Sequence, residues 1–342
     1  MSNRINEITM SKSRKPIMFY RIKQLAVASA CLGALLATAT AQAEVTLRAI
    51  SAWPEGNQFS VNFERFVVKV NAEGKGLVQI NYLGGGAKVM PPFEVGNAVK
   101  TGVADIANVA GGFYTNLLPE ADALFLNTRP TSELRKNGAY DYINKLWGEK
   151  LNVHYLARSV DSLPFHIFLR QPITKPDLTG LRLRVIPTYR PFLESLNAQS
   201  LLNIPPGEVY TALERNLVDG YVWPVIGLFD VGIEKQTKYR VDPGFYNGEA
   251  GVLVNLNSWN KLNDAERAFM TKMGIWLEGL NAETLKLVEE EKKKHAAAGI
   301  QTISFSGREG QEYVKKAEDT AWAALIKRSP EHGPKLRALL TK

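Results

Sequence analysis

Residues 91–105 of this chain can be laid without a gap on residues 205–219, and six of the fifteen positions are identical: both prolines, a glutamate, a valine, an alanine and the closing aspartate. Each copy opens on a Pro-Pro pair, where a missing N–H costs a starting helix nothing. Each then spaces apolar residues four apart, Val95 and Val99 in the first, Val209, Leu213 and Leu217 in the second, before running into an extended segment. A helix that lays one apolar stripe on a sheet and then feeds a strand is the building unit of an α/β layer. Its duplication points to two similarly built α/β lobes facing each other across a cleft. The competing reading is coincidence between two units under the same constraints.

The rest of the chain alternates in the same way. Residues 45–50 alternate like a strand, 51–57 make a turn-rich loop, and Phe59, Phe63, Phe66, Val67 and Val70 have helical spacing. Residues 77–83 read as the next strand, broken by the glycines at 84–86; 94–101 read as helix and 103–108 as strand. This alternation predicts a mostly parallel, doubly wound sheet. Residues 264–298 contain no proline and predict one long helix or two nearly collinear ones. There Glu289, Glu290 and Glu291 precede Lys292, Lys293 and Lys294 by three or four positions, which makes that charge run a solvated helix face. Residues 301–305 read as a strand and 311–327 as a last amphipathic helix.

The amino terminus reads differently. Residues up to Gln24 are polar and basic, residues 25–40 run without a charge, and Ala41-Gln42-Ala43 closes the run, the pattern of a secretory signal. The apolar stretch is shorter than the ~20 residues an ordinary spanning helix needs. Cleavage is expected before Glu44. The segment takes with it six of the 42 Lys and Arg and one of the 34 Asp and Glu, so the formal charge of +8 falls to +3. No Lys/Arg cluster interleaved with aromatics remains, so no nucleic-acid partner is expected. The single cysteine, Cys31, lies inside the apolar run, which leaves the mature chain without thiol or disulfide chemistry.

Catalytic patterns are thin. The four histidines (His154, His166, His295, His332) show no close spacing and have no cysteine beside them, so no metal is expected. The Gly84-Gly85-Gly86-Ala87-Lys88 loop lacks the Lys-Ser/Thr pair that holds phosphates, and no G-x-S-x-G elbow occurs. No catalytic residue and no cofactor are expected, and an enzyme is not the reading.

One arginine stands out. In residues 181–187, Leu181, Leu183 and Val185 share one strand face while Arg182 and Arg184 share the other. Arg184 lies nearer the carboxyl end of that strand, where open α/β sheets present ligands, and its planar fork suits a carboxylate through two parallel charge-assisted bonds. The pattern alone leaves a solvated edge-strand arginine equally open. Trp53, Phe113 with Tyr114, and Trp223 follow predicted strands, and Phe245 and Tyr246 precede Val252. Singly each suits a core or a surface; together they suit a pocket wall. Gly111 and Asn247, beside Phe113 and Tyr246, join the candidates.

Residues 172–185, with Asp177-Leu178, Gly180 and Arg184-Val185 in a D-L-x-G-x-x-x-R-V pattern, continue into residues 206–220 and resemble the solute-binding subunits of tripartite ATP-independent periplasmic (TRAP, DctP-type) transporters. Residues 103–108 with Leu118-Pro119-Glu120 fit the same family's first lobe, so the resemblance spans nearly the whole mature chain. It implies a two-lobed periplasmic binding protein fold, type II-like, with a long carboxy-terminal helix bridging the lobes. Residues 44–165 and 250–288 would form lobe I, and residues 166–249 and 289–342 lobe II. It implies a periplasmic monomer that clamps an organic acid anion, pairs its carboxylate with Arg184 and delivers it to a cation-driven membrane permease. The basic residue just before the preceding proline often touches ligand in that family; here it is Arg170, displaced by Gln171. Many sugar-acid binders carry Glu-Asn where this chain has Val222-Trp223, which favours a flatter or more apolar acid, aromatic carboxylates included. A periplasmic binding protein feeding a signalling receptor is the second reading, and a secreted hydrolase or lyase the third. Mass spectrometry of the exported protein should find Glu44 at its amino terminus; an exported chain that retains residues 1–43 would overturn the signal assignment.

Overall fold

The Pro-Pro pairs set the local geometry of the repeat. Pro91 and Pro205 hold extended backbone (ψ 135° and 149°), and the following proline opens a 3-10 turn, Pro92–Glu94 in one copy and Pro206–Glu208 in the other. These turns lead into the helices Val95–Thr101 and Val209–Glu214, which bury Val95, Ala98 and Val99 and Val209, Ala212 and Leu213 respectively. The closing aspartates then do the same thing twice. Asp105 accepts the backbone N–H and the Nε–H of Arg48, both at 2.9 Å, and returns its own N–H to the Arg48 carbonyl at 2.9 Å. Asp219 accepts the backbone N–H and Nε–H of Arg182, both at 2.9 Å, and returns its N–H to the Arg182 carbonyl at 2.7 Å. A chance match of sequence does not bring a matching set of hydrogen bonds with it.

The computed structural model describes residues 44–342, which pack as one unit; the expected signal segment and Cys31 lie outside the described residues. The strands are β1 Val45–Ser51, β2 Val78–Gly85, β3 Ile106–Val109, β4 Val153–Leu169, β5 Arg182–Val185, β6 Ser200–Asn203, β7 Gly220–Pro224, β8 Tyr239–Asp242, β9 Phe245–Asn255 and β10 Gln301–Ser304. They form a single sheet in the order β2-β1-β3-β9-β4-β7-β5-β6, with β8 pairing β4 and β10 pairing β8. Pairing is parallel where the repeat units lie, β2-β1-β3 at one end and β7-β5-β6 at the other. Between them β9 runs antiparallel to β3 and to β4, and β4 antiparallel to β7.

The expected mostly parallel sheet holds at both ends, with five of the nine strand pairings parallel, and the joint between the ends is antiparallel. The reason is connectivity: β4, with 17 residues, carries the chain out of the first half, β9 brings it back, and two neighbouring passes in opposite senses must pair antiparallel. Their register shifts four times between Tyr155 and Phe165, so the joint between the halves is the most irregular part of the sheet.

The 264–298 stretch is two helices, Asp264–Gly279 and Thr284–Ala297, joined by the 3-10 turn Leu280–Glu283. Met270, Met273 and Leu277 bury against Phe63, Val252 and Val254 in the first half. His295, at the far end, packs edge-on to Phe168 in the second half at 5.7 Å, so this helical pair bridges the two lobes. The last long helix, Gly307–Arg328, packs Tyr313 on Phe192 at 5.1 Å and pairs Arg328 with Asp122, touching residues of both halves. No helix among the described residues is long and apolar enough to cross a membrane.

The duplicated ion pair yields a test. Its hydrogen bonds from Arg182 hold the Asp219 carboxyl below its ordinary value, so the stabilisation is complete above the unfolded value of about 3.9 and disappears as the pH falls through the folded one. In urea denaturation, Asp219→Asn should lose about 0.5–1 kcal/mol near pH 7, the range of a partly exposed pair, and the gap should close as the pH falls through the folded value. A gap that persists in acid would rule out the ion pair as its source.

Candidate functional site

At the carboxyl end of β5 the chain meets its counterpart from the other half. The loop after β1, the turn Gly111–Phe113 after β3, the middle of β4, the end of β7 and the start of β9 all converge there and line one cavity. Aromatic rings form a chain around this cavity. Trp53 lies 5.3 Å from Phe59 and 5.5 Å from Phe113 between ring centroids, and Phe165 lies 5.7 Å from Phe125 and 5.6 Å from Tyr189. Trp223, Val160, Ile186 and Val222 fill the remaining wall, and only Arg184 and Glu249 bring formal charge to the lining.

Arg184 is 2% exposed. Its Nε–H donates to the Ile204 carbonyl at 2.8 Å, and its Nη1 donates to the Tyr189 hydroxyl at 2.8 Å and to the Val222 carbonyl at 3.3 Å. The Tyr189 hydroxyl donates in turn to Val222 at 3.2 Å, which fixes the fork against β7. The guanidinium carbon stands 5.2 Å from the centre of the Trp223 ring. Among the described residues Nη2 has no hydrogen-bond partner and no carboxylate pairs with the group. Burial draws its pKa below the ordinary value, opposed only by the Tyr189 oxygen. A cation that is positioned, desolvated and left without a counter-ion suits an incoming anion, and its fork suits a carboxylate.

Glu249, 4% exposed on β9, is the second charged group. Oε1 accepts the Tyr155 hydroxyl at 2.6 Å and Oε2 accepts the Gly111 N–H at 3.0 Å. Burial pushes its pKa up, and the Arg158 charge, the Tyr155 bond and the Gly111 N–H counter that. Among the described residues no group of three or more His, Cys, Asp and Glu stands close enough to hold a metal ion.

The sequence model of the bacterial extracellular solute-binding proteins, family 7 (DctP), matches residues 51–328. The chain belongs to this family. A curated relative, the monocarboxylate 2-oxoacid-binding periplasmic protein of Nostoc sp., is 26% identical over 231 residues, 64% of this chain and 62% of that protein. The chain therefore spans less than two thirds of the length of the curated relatives it matches. Among solved structures, a Bordetella pertussis extracytoplasmic solute receptor binding pyroglutamic acid superposes with a TM-score of 0.76 at 17% identity, over 86% of this chain and 99% of that one. A TRAP periplasmic solute binding protein from Desulfovibrio salexigens with bound orotic acid superposes with a TM-score of 0.76 at 18% identity, over 86% and 97%. At these identities the two structures show the two-lobed fold.

Against this family background the eight candidate residues divide. Arg184, Trp223, Trp53 and Phe113 line the cavity together. Gly111 stands behind the wall: its N–H holds Glu249, and a Cβ there would sit 2.7 Å from the Ala121 carbonyl. Arg170 is elsewhere. Its Nη1 donates to the Leu213 carbonyl at 3.1 Å and to Asn216, beside a polar depression shared with Arg182, Asp219 and Lys238. Tyr246 and Asn247 also leave the cavity: they line a depression beside Asn127 and Glu318, and Asn247 donates to the Asn127 carbonyl at 3.2 Å. The physical reason lies in the strand: β9 turns its pocket face at Gly248 and Glu249, past these two residues.

Sequence reasoning missed Phe59, Phe125, Phe165, Tyr189 and Glu249. Only the last carried a signal, a lone charge within the apolar strand of residues 245–255. Tyr189→Phe should lower stability in chemical denaturation by about 1–2 kcal/mol, because it removes an acceptor from a buried cation. An unchanged midpoint would show that the hydroxyl does not hold Arg184.

Proposed function

We propose that this protein is a periplasmic solute-binding receptor that captures an organic acid anion in the aromatic cavity, pairs its carboxylate with Arg184, and delivers it to a cation-driven TRAP permease. It is a binding protein rather than an enzyme, and residues 1–43 are its export signal. The observation that carries the reading is the buried Arg184 guanidinium, with three oxygens around it and no carboxylate among the described residues.

The energetics call for both halves of the site. Charge-assisted hydrogen bonds contribute about 1.5–3 kcal/mol each, whereas a micromolar affinity needs about 8 kcal/mol, so two bonds from Arg184 fall short. Burial of a flat or apolar body among the rings supplies the rest. A lobe that closes on an empty site leaves the cation desolvated and unpaired, whereas a carboxylate arriving between the lobes supplies the missing charge. Differential stabilisation of the closed state by ligand is the condition for ligand-driven closure. The named ligands of the relatives, 2-oxoacids, pyroglutamic acid and orotic acid, agree with a small carboxylate. With one unpaired cation in the lining, the site favours an acid that presents a single carboxylate to it.

Isothermal calorimetry against a panel of aliphatic and aromatic carboxylic acids tests this. Arg184→Ala, folded by circular dichroism, should bind the best acid at least about 100-fold more weakly, the loss of two charged bonds. Arg184→Lys should retain part of the affinity, since the charge stays and the fork is gone. Equal affinity in wild type and Arg184→Ala would falsify the assignment.

A further inference from the structure

Glu249 has a role in the cavity that the carboxylate–arginine pairing leaves open. It lines the same space as Arg184, on β9 rather than β5, and is 4% exposed. Both of its protein partners are donors, the Tyr155 hydroxyl at 2.6 Å and the Gly111 N–H at 3.0 Å. Each carboxylate oxygen has two acceptor positions, so one on each is still open. No Lys, Arg or His among the described residues lies within ion-pair distance of it. Arg158, the cation nearest in effect, spends its Nη2 on the Leu124 carbonyl and on Asp161, both at 3.1 Å. Of the neighbouring walls, Trp53, Phe113, Phe125 and Val160, only Trp53 has a side-chain hydrogen-bond donor.

We propose that Glu249 selects, among carboxylates held by Arg184, those that also carry an N–H or O–H donor for Glu249 to accept, over acids of the same shape without a donor and over dicarboxylates. This rests on the proposed function and narrows its ligand class. A donor on the ligand satisfies an acceptor that burial leaves only 4% exposed. An ether oxygen or a methylene in the same place leaves it unsatisfied, and a site built around a polar group discriminates strongly against the analogue lacking its partner. A second carboxylate would meet the like charge of Glu249, whose nearest cation in effect, Arg158, is already paired with Asp161. Burial alone pushes the Glu249 carboxyl towards its neutral form, and Arg158, Tyr155 and Gly111 oppose that while Asp161 adds to it. A ligand donor tips the same balance towards the acceptor form.

The test is calorimetry on the full mature protein with matched pairs of acids. One pair is pyroglutamate and 5-oxotetrahydrofuran-2-carboxylate, in which a ring oxygen replaces the N–H; another is pyrrole-2-carboxylate and furan-2-carboxylate. Glutaramate against glutarate exchanges one carboxylate for a carboxamide. In wild type the donor-bearing member should bind at least 10-fold tighter in each pair. Glu249→Met should reduce the ratios of the two ring pairs to below 3-fold, Glu249→Gln should weaken the exclusion of glutarate, and Arg184→Ala should weaken both members of each ring pair together. Wild-type ratios near one, or tighter binding of the ring-oxygen members, overturn the role of Glu249 even if the variants fail to fold. Acids that bind through Arg184 without any donor preference sink this inference alone, whereas equal binding of these acids by wild type and Arg184→Ala sinks the proposed function with it.

Discussion

A guanidinium at 2% exposure, held by a carbonyl, a phenol and a second carbonyl but by no carboxylate among the described residues, is the constraint around which this molecule is organised. Neutral oxygens position a buried cation without cancelling its charge. Trp223 lies on one side of the group and Tyr189 orients its fork, so the group is set for a partner it does not have within the protein. Under the proposed function, that partner is the ligand, and closure of the two halves is tied to its arrival.

The duplicated unit shows how one architecture came to carry an asymmetric site. Arg48 and Arg182 occupy matching places, each clamped by the aspartate that ends its repeat. Two residues further along each strand stand Ile50 in the first half and Arg184 in the second, both buried. At the strand that follows the repeat, Val109 in the first half matches Trp223 in the second. The scaffold is shared; at these matching positions the guanidinium of Arg184 and the ring of Trp223 belong to the second half only, and the first half contributes Trp53 and Phe113 from its loops. Under the proposed function, this asymmetry orients an acid with its carboxylate on Arg184 and its body among the rings.

The sheet adds the second condition. β4 and β9 are the passes by which the chain leaves and re-enters the first half, and their shifted register lies beside the cavity, where Val160, Phe165, Gly248 and Glu249 reach the lining. Irregular pairing exposes side chains that a regular ladder would turn to the packed faces. The same segment therefore joins the halves and supplies part of the wall, which brings Phe165 to the site with no local signal and Glu249 with only its lone charge to mark it.

By itself the sequence determined what depends on short-range pattern: the helix-to-strand units, their duplication with its prolines and aspartates, the helices of residues 264–298, and the strand face that carries Arg184. Hydrophobic period and turn chemistry act over a few residues, so they are readable there. The tertiary structure alone decided the antiparallel joint, the burial of Arg184 on a strand whose neighbour Arg182 stays exposed, and the division of the candidates. Trp53, Phe113 and Trp223 reached the cavity, whereas Arg170, Tyr246 and Asn247 were carried to other surfaces. Which side of a strand faces a cleft depends on register between segments far apart in the chain, and a one-residue shift turns every side chain over.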